Sequence, residues 1–225
     1  MLKMKNITKL FLYLNLCLTL LACSKISPKG EIEVKDVTVE NFTKLNLKGD
    51  FKVFFAKGNQ NLVSVETYPN VYKNLDIEVE NGILSIEENR KTDQVDFYNI
   101  TIFGKNDLNE VSLSDKVEMN VSGQVKTPEF SLHLKGNSKF MGAVMAPKSK
   151  IEMAEKSNAN ILGETKNLNL KLADSASIMA PYFYVENLEI LSKNGASAGL
   201  NIDQEMKGTL ENTSKLIFYG EPLNK

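Results

Sequence analysis

The stretch that decides the fold is NLEILSKNGASAGLNI, residues 187–202. Leu188 and Ile190 alternate with polar residues. A run of Ser, Lys, Asn, Gly, Ala and Ser follows, and then a second short apolar stretch holding Leu200 and Ile202. Alternation with a period of two marks a half-buried strand, and a cluster of small polar residues around Asn-Gly marks a tight reversal. One such phrase would make a corner between two strands.

The phrase recurs. LSDKVEMNV begins at Leu113, LHLKGNSKFMGAV at Leu132, IEMAEKSNANILG at Ile151, LNLKLADSASIMA at Leu168 and LENTSKLIFYG at Leu210. Aligned on their small turn residues, these pieces place Ser138, Ser157, Ser177, Ser197 and Ser214 in one column, with Asp115 ahead of them. The period is about 20 residues, with strands and turns but no helical periodicity, which is the signature of a solenoid. A rung of that length cannot bury its own apolar face. Rungs stacked about 4.8 Å apart pair their backbones and line up like side chains. The inward positions expected before the turn are Leu132, Leu134, Ile151, Met153, Leu168, Leu170, Leu172, Leu188 and Ile190. After it they are Phe140, Ile161, Met179, Leu200 and Leu216. Ser177 and Ser197 sit further from their preceding alternations than the other serines do, so one-residue insertions or bulges are expected at those turns.

The first half alternates as well, in KLNLKGDFKVFF, LDIEVENGILSIEE and YNITIFG, but without the period. Asn81-Gly82 between two such runs predicts a β-hairpin. The expectation is an all-β, single-domain parallel β-solenoid (β-helix) over residues 31–225, with a more irregular N-terminal half capping one end. Phe218, Tyr219 and Pro222 are candidates to close the other, because a solenoid exposes strand edges at both ends.

The N-terminus reads differently. Lys3, Lys5 and Lys9 precede a short apolar run over 10–21, too short for a comfortable membrane span, and then Leu20-Leu21-Ala22-Cys23. This resembles the lipobox of bacterial lipoproteins. The resemblance implies a signal peptide at 1–22, acylation of Cys23, and a lipidated, flexible tether at 23–30. An ordinary secretory signal with an incidental cysteine is the alternative. The other cysteine, Cys17, lies in the segment removed, so the mature domain has no thiol for a disulfide or a thiolate metal site. Removing Lys3, Lys5 and Lys9 from 27 basic residues leaves 24 against 28 acidic ones, about −4, with Arg90 the one arginine. That balance argues against nucleic acid and strongly anionic polymers.

The order of the pieces FTKLNLKGDFKVFFAKG from Phe42, VSVET, NLDIEVENGILSIEE, the turns Gly136-Asn137-Ser138 and Gly195-Ala196-Ser197, and the closing IFYGEP is similar to that of a known family. It is the putative auto-transporter adhesin, head GIN domain family. One turn here reads Gly-Ala-Ser, and the others depart from it. The resemblance implies a β-solenoid, secreted or lipid-anchored, of a kind known mainly in the Bacteroidetes, and brings no catalytic residues.

Chemistry is scarce in the residues themselves. His133 alternates with Leu132 and Leu134 and is expected on the outer face. No nucleophile elbow, phosphate loop or dinucleotide fingerprint is present. Asp93, Asp96, Glu87 and Glu88 have no spacing that forces two carboxyls across a cleft, as glycosidase chemistry requires. The expectation is no catalytic residue, metal or cofactor. The aromatic run in APYFYVEN is the better binding clue: with Phe183 inward, Tyr182 and Tyr184 form a stacking platform for sugar rings, the alternative being a bulge folded over the core. The first functional expectation is a non-catalytic, adhesin-like module binding glycan or an envelope protein. It would be lipid-anchored in the bacterial outer membrane, and the absence of an acidic run after Cys23 favours the periplasmic side. A self-associating structural lipoprotein is the second reading and a polysaccharide-acting enzyme the third.

Overall fold

A computed structural model describes residues 25–219. Cys17, Cys23 and Pro222 lie outside the described residues. Among the described residues sixteen strands form one sheet that coils into a two-faced solenoid. One face, called A, carries β2 (Lys44–Gly49), β8 (Glu110–Asp115), β10 (Glu129–Leu134) and β12 (Lys148–Met153). The other, face B, carries β3 (Lys52–Lys57), β7 (Asn99–Gly104), β9 (Glu118–Lys126) and β11 (Lys139–Met145). Within each face these strands pair in parallel. The three long strands β13 (Asn158–Leu172), β14 (Ser177–Ser192) and β15 (Ser197–Leu210) start on face B and bend onto face A. Their first halves continue β11 and their second halves continue β12. The short strand β16 (Lys215–Phe218) is the last strand of face B among the described residues.

The core consists of columns of like residues. On face A, Leu132, Ile151, Leu170 and Ile190 lie in register, each no more than 3 % exposed. Burying an aliphatic side chain of this size is worth roughly 1.5–3 kcal/mol. On face B the column runs Phe140, Ala159, Ile178, Ala198 and Leu216.

Face A joins face B through a four-residue turn repeated at 114–117, 135–138, 154–157, 173–176, 193–196 and 211–214. Its second residue has a left-handed backbone at Asp115 (φ 60°), Gly136 (73°), Glu155 (63°), Asp174 (60°) and Asn194 (58°). Glycine, Asn and Asp tolerate that conformation best. At Gly136 a Cβ would lie 2.5 Å from the Asp115 carbonyl oxygen, so glycine is required there twice over. The fourth residue passes its carbonyl to the next rung. Glu118 donates to Phe51, Lys139 to Val117, Asn158 to Ser138, Ser177 to Ser157, Ser197 to Ala176 and Lys215 to Ala196.

This ladder corrects the alignment of the turns. Ser138, Ser157 and Ser214 occupy the fourth position, but Ala176 and Ala196 fill it in the other two turns, and Ser177 and Ser197 begin the strands. No insertion occurs at these turns. Asp115 belongs two positions earlier, with Gly136. The one-residue shift carries Met179 outward, 44 % exposed, and puts Ile178 and Ala180 inside with no exposure. In these five turns the position takes a small residue, alanine serving as well as serine, whereas the turn at 114–117 fills it with the buried Val117. The remaining expected inward residues are buried, except Leu216, which is half-buried.

The N-terminal half caps the stack, as expected. Face A ends in the antiparallel hairpin of β5 (Leu75–Glu80) and β6 (Ile83–Glu88), turned by Asn81 and Gly82 with φ of 52° and 76°. Face B ends in antiparallel β4 (Leu62–Thr67) and β1 (Glu33–Thr38). The single turn α1 (Pro69–Tyr72) bridges the two faces and buries Val71 completely. Chain order and stacking order differ here: β2 and β3 are inserted between β6/β7 and β8/β9. The stretch 25–30, read from sequence as part of a flexible tether, is held against this cap. Ile26 pairs with Thr92, Lys25 bridges Asp93 at 3.0 Å, and Asn70 bonds both Lys29 and Ser27.

Candidate functional site

The outer surfaces of the two faces differ in chemistry. Face A is a lattice of paired polar side chains. Lys148 meets Glu129 at 2.8 Å, and Asn187 donates to Asn167 at 3.3 Å in the neighbouring rung. Glu152 takes Lys150 at 3.1 Å, Lys171 at 3.2 Å and His133 at 3.3 Å. Partial burial pushes the Glu152 carboxyl up, but hydrogen bonds and charge from Lys150 and Lys171 outweigh it and hold its pKa below the ordinary range. His133 is thus a strand-surface residue beside an ion-paired carboxylate.

Face B is apolar on its outer side near the C-terminal rungs. Met141, Leu162 and Met179 are 50 %, 40 % and 44 % exposed. Tyr219 folds back over Gly199 and donates its hydroxyl to the Met179 sulfur at 3.2 Å.

At the edge of this patch β14 bulges. Against β13 the register advances four residues while β14 advances five. Against β15 the step from Ala180 to Tyr184 faces the single step from Leu200 to Asn201. The surplus falls on Pro181, Tyr182 and Phe183, and proline suits such a place because it has no ladder hydrogen to donate. Asn201 ties the bulge down through the Pro181 carbonyl at 3.4 Å. Phe183 is fully buried, whereas Tyr182 and Tyr184 are 65 % and 56 % exposed. The alternation read from APYFYVEN therefore survives the bulge, and both tyrosines point outward.

Tyr184 also stands on the rim of a groove of about 1020 Å³ along the second corner of the solenoid, where strands pass from face B to face A. Pro128, Met145, Ala146 and Pro147 form its apolar wall, and Glu164, Lys166, Glu186, Asn201 and Asp203 line its polar side. This groove carries no residue pattern that sequence reading could have found, because its walls come from five different rungs.

The other candidates are structural. Asp93 holds Lys25 and Asp96 accepts from the Tyr68 hydroxyl at 2.8 Å. Glu87 and Glu88 face opposite ways: Glu87 bonds Asn46 on the surface, while Glu88 accepts from the Asp50 amide at 3.0 Å. Burial raises the Glu88 pKa, and burial followed by the Glu88 charge pushes the Tyr98 phenol up strongly. Among the described residues no three His, Cys, Asp or Glu side chains are grouped to hold a metal ion.

The family model for the putative auto-transporter adhesin, head GIN domain, matches residues 41–222. The chain belongs to that family. Among solved structures it is similar to a putative adhesin from Bacteroides fragilis, with a TM-score of 0.72 at 15 % identity, covering 89 % of this chain and 100 % of the other. A putative lipid binding protein from Parabacteroides distasonis gives 0.62 at 17 %, covering 90 % and 100 %. A putative adhesin from Parabacteroides merdae gives 0.62 at 14 %, also covering 90 % and 100 %. At these identities the likeness carries the fold. No curated protein matches the chain.

Proposed function

We propose that this GIN-domain chain is a non-catalytic binding module of the bacterial cell envelope, anchored through an acylated Cys23 to the outer membrane and facing the periplasm, and that it holds a neutral glycan on Tyr182 and Tyr184. The observation that carries the reading is the bulge itself: it buries Phe183 and leaves the two tyrosines on either side of it exposed. Nothing in the packing of the rungs requires two exposed rings there. Sugar rings stack on such faces, and the adjoining groove offers amide and carboxylate groups for hydroxyls. A domain with about four excess negative charges suits neutral sugars better than anionic ones. Membership of an adhesin family supports a binding role over a catalytic one.

An envelope protein is the second reading, favoured by the exposed Met141, Leu162 and Met179 on the same face. The Parabacteroides distasonis neighbour is named for lipid binding, and an apolar surface of this kind also suits acyl chains.

The test is calorimetric titration of the processed protein with neutral envelope glycans. The wild type binds. The Tyr182→Ala, Tyr184→Ala double variant binds at least several-fold more weakly, at roughly 0.5–1.5 kcal/mol lost per ring, and melts normally. A wild type that binds no glycan, or a double variant that unfolds, moves both tyrosines to a structural role.

A further inference from the structure

The two ends of the stack are built differently. At the N-terminal end the edge strands are antiparallel and mostly charged: Lys35 and Asp36 beside the exposed Val34 on β1, and Asp76, Glu78 and Glu80 on β5, are exposed. Charged edges of this kind resist pairing with another chain. At the C-terminal end, among the described residues, no strand pairs with the outer side of 205–210 on face A or of β16 on face B. The apolar residues there are exposed: Leu210 at 46 %, Ile217 at 50 % and Phe218 at 39 %. Phe218 and Tyr219, expected from sequence to close this end, do not: Tyr219 lies over the outer side of face B.

We propose that the C-terminal end pairs with the same end of a second copy of this chain, two-fold and antiparallel, along face A of the solenoid. The surface is self-complementary. Glu205 and Lys207 alternate along the edge strand, with Lys207 Nζ 3.0 Å from Glu205 Oε1 within one chain. In an antiparallel register centred on Met206, Glu205 of each copy faces Lys207 of the other, so one arrangement makes two opposite-charge pairs. The same register brings Met206 against Met206 on the inner side. A two-fold contact uses one surface on both copies and closes on itself. Because the other end is blunted by charge, the product is a dimer and not a fibre. This inference is independent of the glycan reading, since it uses the end of the stack and not the bulge.

The experiment is sedimentation equilibrium of the full chain, purified from cells in the form they process it and in density-matched detergent. The wild type sediments as a dimer. Glu205→Lys alone, or Lys207→Glu alone, sets like charges opposite one another and weakens association by about tenfold, which is about 1.4 kcal/mol. The two together restore the dimer. A monomeric wild type, or a double variant no tighter than the singles, overturns the proposal. A monomeric wild type whose variant lacking residues 220–225 dimerises overturns it too, and assigns the edge to that segment.

Discussion

Replacing Ile178 by Asp places a carboxylate in a buried column between Ala159 and Ala198, whereas the same change at Met179 places it on the open face. An unpaired charge in such a core costs several kcal/mol, and a surface change about 0.5 kcal/mol or less. Thermal melts should therefore separate the two variants widely, and similar melting temperatures would contradict the register. Leu170 and His133 stand in the same relation and were legible from alternation alone. Ile178 was not, because a turn closed by alanine looks one residue longer than one closed by serine. Glu88 offers a second test through pH. Its raised pKa means that its contribution to stability is fully present below the unfolded carboxyl pKa of about 4.3 and is lost as pH rises through the folded value. Glu88→Gln removes that loss. The melting temperature of the variant relative to wild type should rise between about pH 4 and pH 7, and a flat or falling difference would show that the carboxylate is not penalised by burial.

At the scale of the element, the period of about 20 residues was readable because every rung repeats one strand, one small turn and a second strand. The irregular cap was readable as irregular, and its hairpin as Asn81-Gly82. Its order was not: the insertion of β2 and β3 between β6/β7 and β8/β9 depends on pairings far apart in sequence, which no local pattern encodes. The bulge was partly legible, since three aromatics after a proline are more than one rung needs. The second corner was not legible at all. There β13, still paired with β11 at Gly163 and Glu164, leads into the passage from face B to face A; Gly163 has a φ of 108°, and a Cβ at that residue would lie 2.1 Å from the Val144 carbonyl oxygen. Backbone cannot yield as a flexible side chain can. Gly163→Ala should cost roughly 1–3 kcal/mol or more and lower the melting temperature by several degrees. A variant that melts with wild type would mean that the corner is not built as described.

The whole molecule is a capped stack with an outward-facing bulge, to which the proposed anchor at Cys23 would be joined. The cap packs against residues 25–30, so an acylated Cys23 would set the capped end toward the membrane and leave the C-terminal rungs, with Tyr182 and Tyr184, further out. Cys23→Ala should release the protein from the membrane fraction and abolish labelling by palmitate, and unchanged labelling would remove the anchor from the account. The proposed binding surface is the bulge on face B. Hydroxyl-radical footprinting of the processed protein, with and without the tightest-binding glycan from the titrations, tests it most directly. Tyr182 and Tyr184 should be protected on binding, while Tyr68 and the exposed Phe97, whose carbonyl accepts from Thr67 at the capped end, stay unchanged. Protection confined to the ion-paired surface around His133 and Lys171, or a bound glycan that leaves both tyrosines as reactive as before, would contradict it.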